Sequence, residues 1–160
     1  MNIIEQLMTE HSALRVHFRY LGVNSDLIYE LEDFVRNCHA RIEDEVVFPE
    51  LRKSPDAKAI EKTISRLEAD HKLIDTIGDQ IKKRTVEGDL DILRNRIQLY
   101  ANTVLSHNAS EESSIFGYWN ATEAVETQVV SMARKIIESF GFNRYFAITG
   151  ISEKLFEQVC

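Results

Sequence analysis

Apolar residues recur at steps of three and four along four long stretches of the chain, the spacing that lines one face of an α-helix. The first stretch carries Ile4, Leu7, His11, Leu14, Phe18 and Leu21, and the second carries Ile28, Leu31, Val35, His39, Ile42 and Val46. The third carries Ile60, Ile64, Leu67, His71, Ile74, Ile77 and Ile81, and the fourth Leu93, Ile97, Tyr100, Val104, His107, Glu111 and Ile115. Cap and turn residues set the limits. The first helix is expected from about Asn2 to Leu21, stopped by Gly22, with Asn24, Ser25 and Asp26 as N-cap candidates for a second that runs to about Lys53. Ser54-Pro55 reads as N-cap and first residue of a third helix reaching about Thr85, and Glu87-Gly88-Asp89 as the next turn. A fourth spans about Leu90 to Trp119, and Asn120 with Glu123 suggests a capping box for a fifth that ends near Gly141.

Long helices joined by short loops predict an all-α chain, an up-down-up-down antiparallel four-helix bundle over residues 1–120 with extra C-terminal helices in 121–160. Phe142, Phe146, Ile148, Ile151, Leu155 and Phe156 of the last segment need covering, either as an extra layer on the bundle or in a homodimer contact.

Composition narrows the function classes. The 160 residues are one domain's worth of chain, and only six glycines and two prolines punctuate it, too few for the turns of an all-β fold. Nineteen basic against 26 acidic residues give a net charge of −7, which argues against nucleic-acid binding and fits a cationic or small neutral ligand. Cys38 and Cys160 are too few for a disulfide framework, and the opening MNIIEQLMTEH has neither a basic n-region nor an apolar h-region, so a reduced, cytoplasmic protein is expected. No apolar run approaches the roughly 18 residues of a membrane helix.

The stripes themselves carry the chemistry. Each predicted helix places one histidine on its apolar face near mid-length: His11, His39, His71 and His107. One such histidine is ordinarily a core residue with a satisfied hydrogen bond. Four at one level of a bundle would be costly to bury without a common partner, and a bound cation serves all of them together. His17, six residues after His11, lies about 240° round the helix and points elsewhere. His39 and His107 are each followed one turn later by a glutamate on the same face, Glu43 and Glu111, whereas His71 is followed by Asp75 and His11 by Arg15. Four imidazoles and two carboxylates read as a metal site. Glu10, Asp70 and Asp75 are candidates to orient a ligating imidazole by its outer nitrogen. Glu45 and Glu112 read as exposed, and Cys38, turned about 100° from His39, as a small core residue.

The sequence also repeats. Glu-His-Ser-Ala-Leu around His11 parallels Asp-His-Lys-Leu-Ile around His71, and HARIEDEVVFPEL from His39 parallels HNASEESSIFGYW from His107. Such a duplication places the ligands about a pseudo-twofold axis and suggests two metal ions. The ferritin-like arrangement needs Glu-x-x-His on two helices, and only Glu68 with His71 fits it.

The succession His, His-x-x-x-Glu, His, His-x-x-x-Glu on four helices, with Phe48-Pro49 just beyond the second helix's carboxylates, resembles the hemerythrin-like family of HHE cation-binding domains over about residues 1–120. The resemblance implies a non-haem di-iron centre with His11, His39, His71 and His107 as terminal ligands, Glu43 and Glu111 as bridging carboxylates, and a shared oxo or hydroxo bridge. Manganese or a mixed iron-manganese pair suits the same donors. One position on an octahedral iron would stay open for oxygen, nitric oxide or peroxide. Oxygen-carrying hemerythrins look for a second histidine one turn after the third-helix histidine, where this chain has Asp75. The four-His, two-Glu set is closer to di-iron proteins that repair damaged iron centres and to prokaryotic hemerythrin-like proteins of oxidative and nitrosative stress. The implied function is binding or sensing of a small ligand. The alternative is an enzyme that decomposes peroxide or nitric oxide, or delivers iron to damaged iron-sulfur clusters.

Overall fold

The computed structural model describes residues 1–22, 25–88 and 90–157, and all regular structure among them is helical. Helix α1 (Ile3–Tyr20) starts from a reciprocal cap, in which Glu5 N–H donates to Asn2 Oδ1 and Asn2 N–H to Glu5 Oε2, both at 2.8 Å. It ends before Gly22, whose φ of +57° suits a residue without a Cβ. Helix α2 comprises residues 25–51, from Ser25–Phe34 through to Phe48–Leu51, with right-handed helical backbone at every junction inside it. Asn24 and Asp89, named above as cap and turn residues, lie outside the described residues.

Helix α3 (Ala57–Glu87) begins two residues beyond Pro55, because successive i→i+3 turns occupy the Ser-Pro step: Lys53 N–H donates to Glu50, Ser54 to Leu51 and Ala57 to Ser54. Gly88 closes it in the left-handed region at φ +76°. Helix α4 (Leu90–Ser114) stops short of Trp119, the remainder being a 3-10 turn over Phe116–Tyr118. Helix α5 (Glu123–Phe140) is capped by the Thr122 hydroxyl, which accepts from Val125 N–H, rather than by Asn120. Two short helices follow, α6 (Phe142–Thr149) and α7 (Lys154–Glu157).

The apolar stripes explain the packing. α3 lies along α4, α4 against α1, and α3 against α2. Every stripe residue of α2, α3 and α4 named above is buried, while in α1 Ile3 takes the buried place expected of Ile4 and Phe18 is only partly buried. Each large apolar side chain so buried is worth about 1.5–3 kcal/mol. α5 covers α1 and the middle of α2, and α6 packs on α1 and α5. Glu126 of α5 fastens this layer by accepting from Ile3 N–H at 2.5 Å and from the Trp119 indole N–H at 2.8 Å. Phe140, Tyr145, Ile148 and Ile151 are buried in the layer, whereas Phe146 and Leu155 stay exposed.

Candidate metal centre

Helix α2 departs from α geometry where it carries its two site residues. Ala40 N–H donates to the Val35 carbonyl and Phe48 N–H to the Glu43 carbonyl, each five residues back, giving π-helical turns over Val35–His39 and Glu43–Val47. His39 closes the first and Glu43 opens the second. Pro49, with no N–H to give, stands two residues beyond the second, where a widened turn relieves the clash its ring would make in a regular helix.

The four imidazoles point Nε2 inward at two carboxylates. Glu43 Oε1 stands 3.2 Å from His39 Nε2 and 3.7 Å from His11 Nε2, and its Oε2 stands 3.1 Å from His71 Nε2 and 3.9 Å from His107 Nε2. Glu111 lies 3.4 Å from both His11 Nε2 and His107 Nε2. His71 Nε2 and His107 Nε2 converge to 2.9 Å. All six side chains are buried, and both glutamates are fully so. They form two overlapping sets, His11, His39, Glu43 and Glu111, and Glu43, His71, His107 and Glu111, each with donor atoms within 4.8 Å of one another. The sets share both carboxylates.

The outer nitrogens are held by a second ring of acids. Nδ1–H of His11 donates to Glu112 Oε1 at 2.8 Å, that of His39 to Glu10 Oε2 at 2.6 Å and that of His71 to Asp44 Oδ1 at 2.9 Å. A carboxylate can only accept, so Nδ1 keeps its proton and Nε2 is the nitrogen left to bind a cation once it is deprotonated. His107 differs, because Asp70 Oδ2 is 3.7 Å from its Nδ1, which has no hydrogen-bond partner among the described residues. His107 and Asp70 also line a cavity of about 350 Å³ between α3 and α4, with Arg66, Asn102, Ser106 and Ser110.

Asp75 does not join this ring; it faces Arg36 Nε at 3.3 Å. Glu112, expected at the exposed surface, instead bonds His11 and also pairs with Arg15. Asp44 was not among the sequence candidates. His17 Nε2–H donates to the Ile148 carbonyl, 2.8 Å away and outside the site. Burial holds the Cys38 thiol well above its ordinary range, consistent with an inert core residue.

Charge is concentrated here. Burial pushes the His11 pKa down, but the facing carboxylates of Glu111 and Glu43 outweigh it and raise it to about 10. The same contest, won by Asp44 and Glu43, raises His71 to about 10, and one won by Glu111 and Glu43 raises His107 to about 9. Burial opposes ionisation of Glu43, yet the surrounding histidines hold its pKa well below the carboxylate range. Even so, His11 Nε2, His39 Nε2 and both oxygens of Glu43 and of Glu111 are buried without a hydrogen-bond partner. Nitrogen and oxygen atoms left without partners, all aimed at one small volume with no thiolate among them, fit a bound cation.

Residues 2–119 match the profile of the hemerythrin HHE cation-binding domain. The chain belongs to this family. Comparison with curated proteins and with solved structures returned no match. The hemerythrin match runs from α1 through the 3-10 turn after α4 and contains every one of the six inward-facing residues, while α5, α6 and α7 lie beyond it. The buried His and Glu cluster thus lies within the matched hemerythrin domain and is consistent with metal binding.

Proposed function

We propose that the chain holds two iron ions side by side within an up-down-up-down antiparallel four-helix bundle, residues 1–120, over which residues 121–160 close, and that it binds or senses oxygen, nitric oxide or peroxide there. The observation that carries this reading is the pair of four-donor sets sharing Glu43 and Glu111. His11 and His39 would hold one ion and His71 and His107 the other, with Glu43 and Glu111 shared between the two sets. Two irons supply Lewis-acid and redox chemistry and an open position for a small ligand. The residues around them fix the ligand tautomers through Glu10, Asp44 and Glu112, and exclude water through Phe34, Phe48 and Phe116, whose rings stack on His39, His71 and His11. Among the described residues no helix is long and apolar enough to cross a membrane.

Elemental analysis and an absorption spectrum of protein purified in air test the reading. About two irons per chain, with an oxo-bridge absorption that changes reversibly on exposure to oxygen or nitric oxide, is the expected result. Consumption of peroxide or nitric oxide with turnover would favour an enzyme at the same centre. Protein that contains no metal and takes up none on anaerobic addition of ferrous iron would sink both.

A further inference from the structure

We propose that Tyr145, from the C-terminal segment beyond the hemerythrin match, is a positioning residue for the metal centre, holding His39 in place through Glu10. The inference rests on the metal-centre reading above, and it gives the last helices a role in the site. Tyr145 is fully buried, and its O–H donates to Glu10 Oε1 at 2.5 Å. Gln6 Nε2–H donates to the same oxygen at 2.9 Å, and the other oxygen, Oε2, accepts from His39 Nδ1–H at 2.6 Å. Glu10 is itself fully buried, and its carboxyl group is held by three protein donors, one of which is the ring it orients.

Helix α6 is anchored so that the phenol cannot easily move. His17 on α1 binds the Ile148 carbonyl at 2.8 Å, and Arg144 reaches Glu30 and Asp33 on α2 at 2.9 and 2.6 Å. Tyr145 and His39 also share a neighbour, Phe34, whose ring lies 6.0 Å from the phenol and stacks on the imidazole at 5.9 Å. Burial and the Glu10 charge hold the phenol well above its ordinary range, so it remains a donor at neutral pH.

The other three imidazoles have looser support. Glu112 is 21% exposed and is shared with Arg15, Asp44 is 40% exposed, and Asp70 does not reach His107. His39 alone has an outer carboxylate sealed from solvent and tied on its far side. Outer partners of this kind typically change metal affinity 10–100-fold, and one removed by a further bond should sit near the low end.

The test uses Tyr145→Phe, which removes one oxygen and keeps the ring in its packing. The variant should fold with an unchanged helical spectrum, release ferrous iron to a chelator about tenfold faster than the parent, and shift the His39 Nδ1–H resonance of the metal-free protein. In a Glu10→Gln background the same substitution should add little, because the two groups act in series. Phe140→Leu serves as the packing control; it should lower the melting temperature without altering the release rate or the His39 resonance. Release at the parental rate, or an effect of equal size with Glu10 already replaced, would overturn the proposal. If the parent takes up no metal, the metal reading fails, and the His39 resonance still decides whether Tyr145 acts on that ring.

Discussion

Glu43→Gln is expected to leave the helices folded and to weaken metal binding at both positions by at least about 100-fold, more than an outer partner usually contributes. Glu43 belongs to both donor sets and faces all four imidazoles at 3.1–3.9 Å. A carboxamide of the same shape offers one neutral oxygen and turns an N–H₂ toward the cations, so neither ion keeps its shared anion. Elemental analysis after dialysis should find well under one metal per chain, and calorimetric titration should show no tight phase. Glu45→Gln is the matched control. That residue is exposed and paired with Arg41, and its loss should change stability by no more than about 0.5 kcal/mol. Two tightly bound equivalents in Glu43→Gln would remove the bridging role.

Metal loading should reverse the pH dependence of stability. In the metal-free protein His11 and His71 are raised to about 10 and His107 to about 9, so their contribution is complete below the unfolded value near 6.5 and is lost as pH rises to 9–10. Glu43 is shifted the other way, so its contribution is present above about 4.5 and lost as pH falls through its depressed value. Metal-free protein should accordingly be most stable between about pH 4.5 and 6.5. A cation needs the Nε2 lone pairs free, so loading must displace a proton from each of these three imidazoles, and affinity must climb with pH. Each ion present at 100 times its Kd adds about 2.7 kcal/mol, which for two ions in a chain of this size is a rise of about 10–20 °C in Tm. Scanning calorimetry with and without chelator should show that gap widening from pH 6 to 8. Equal melting temperatures at pH 8 would mean that no ion sits among these side chains.

The six inward-facing residues were legible in the sequence because an α-helical period puts His11, His71 and the two His-x-x-x-Glu pairs on the same stripes as Ile and Leu. The acids behind them were harder to read. Asp44 and Glu112 stand one residue after Glu43 and Glu111, about 100° off the stripe, where a part-exposed carboxylate looks like any solvated one. Their signal was the internal repeat: Glu43-Asp44 corresponds to Glu111-Glu112, and Glu10-His11 to Asp70-His71. Each correspondence is realised as a cross-helix pair, Asp44 with His71 and Glu112 with His11, Glu10 with His39 and Asp70 near His107. Asp75 misled because the i, i+4 offset from His71 holds equally for a residue that Arg36 draws away. Tyr145 left no local mark at all, since its contact with Glu10 joins residues 135 positions apart.

The two π-helical turns of α2 give that helix an unusual tolerance to changes in length. Removing a residue from a regular helix rotates everything downstream by about 100° and would carry the stripe out of the core. Removing one from a π turn heals it to an α turn and leaves the downstream face where it was. Deleting exposed Asn37 should therefore yield a folded protein with Glu43, Val46 and Leu51 still inward, its melting curve cooperative and only the aim of His39 altered. Deleting Glu45 should fare worse, because the healed turn would set Pro49 against a carbonyl four residues earlier, at a cost of about 3 kcal/mol. One helix thus carries a removable spacer and one locked by a proline, and insertions or deletions among its descendants would be accepted at the first and refused at the second.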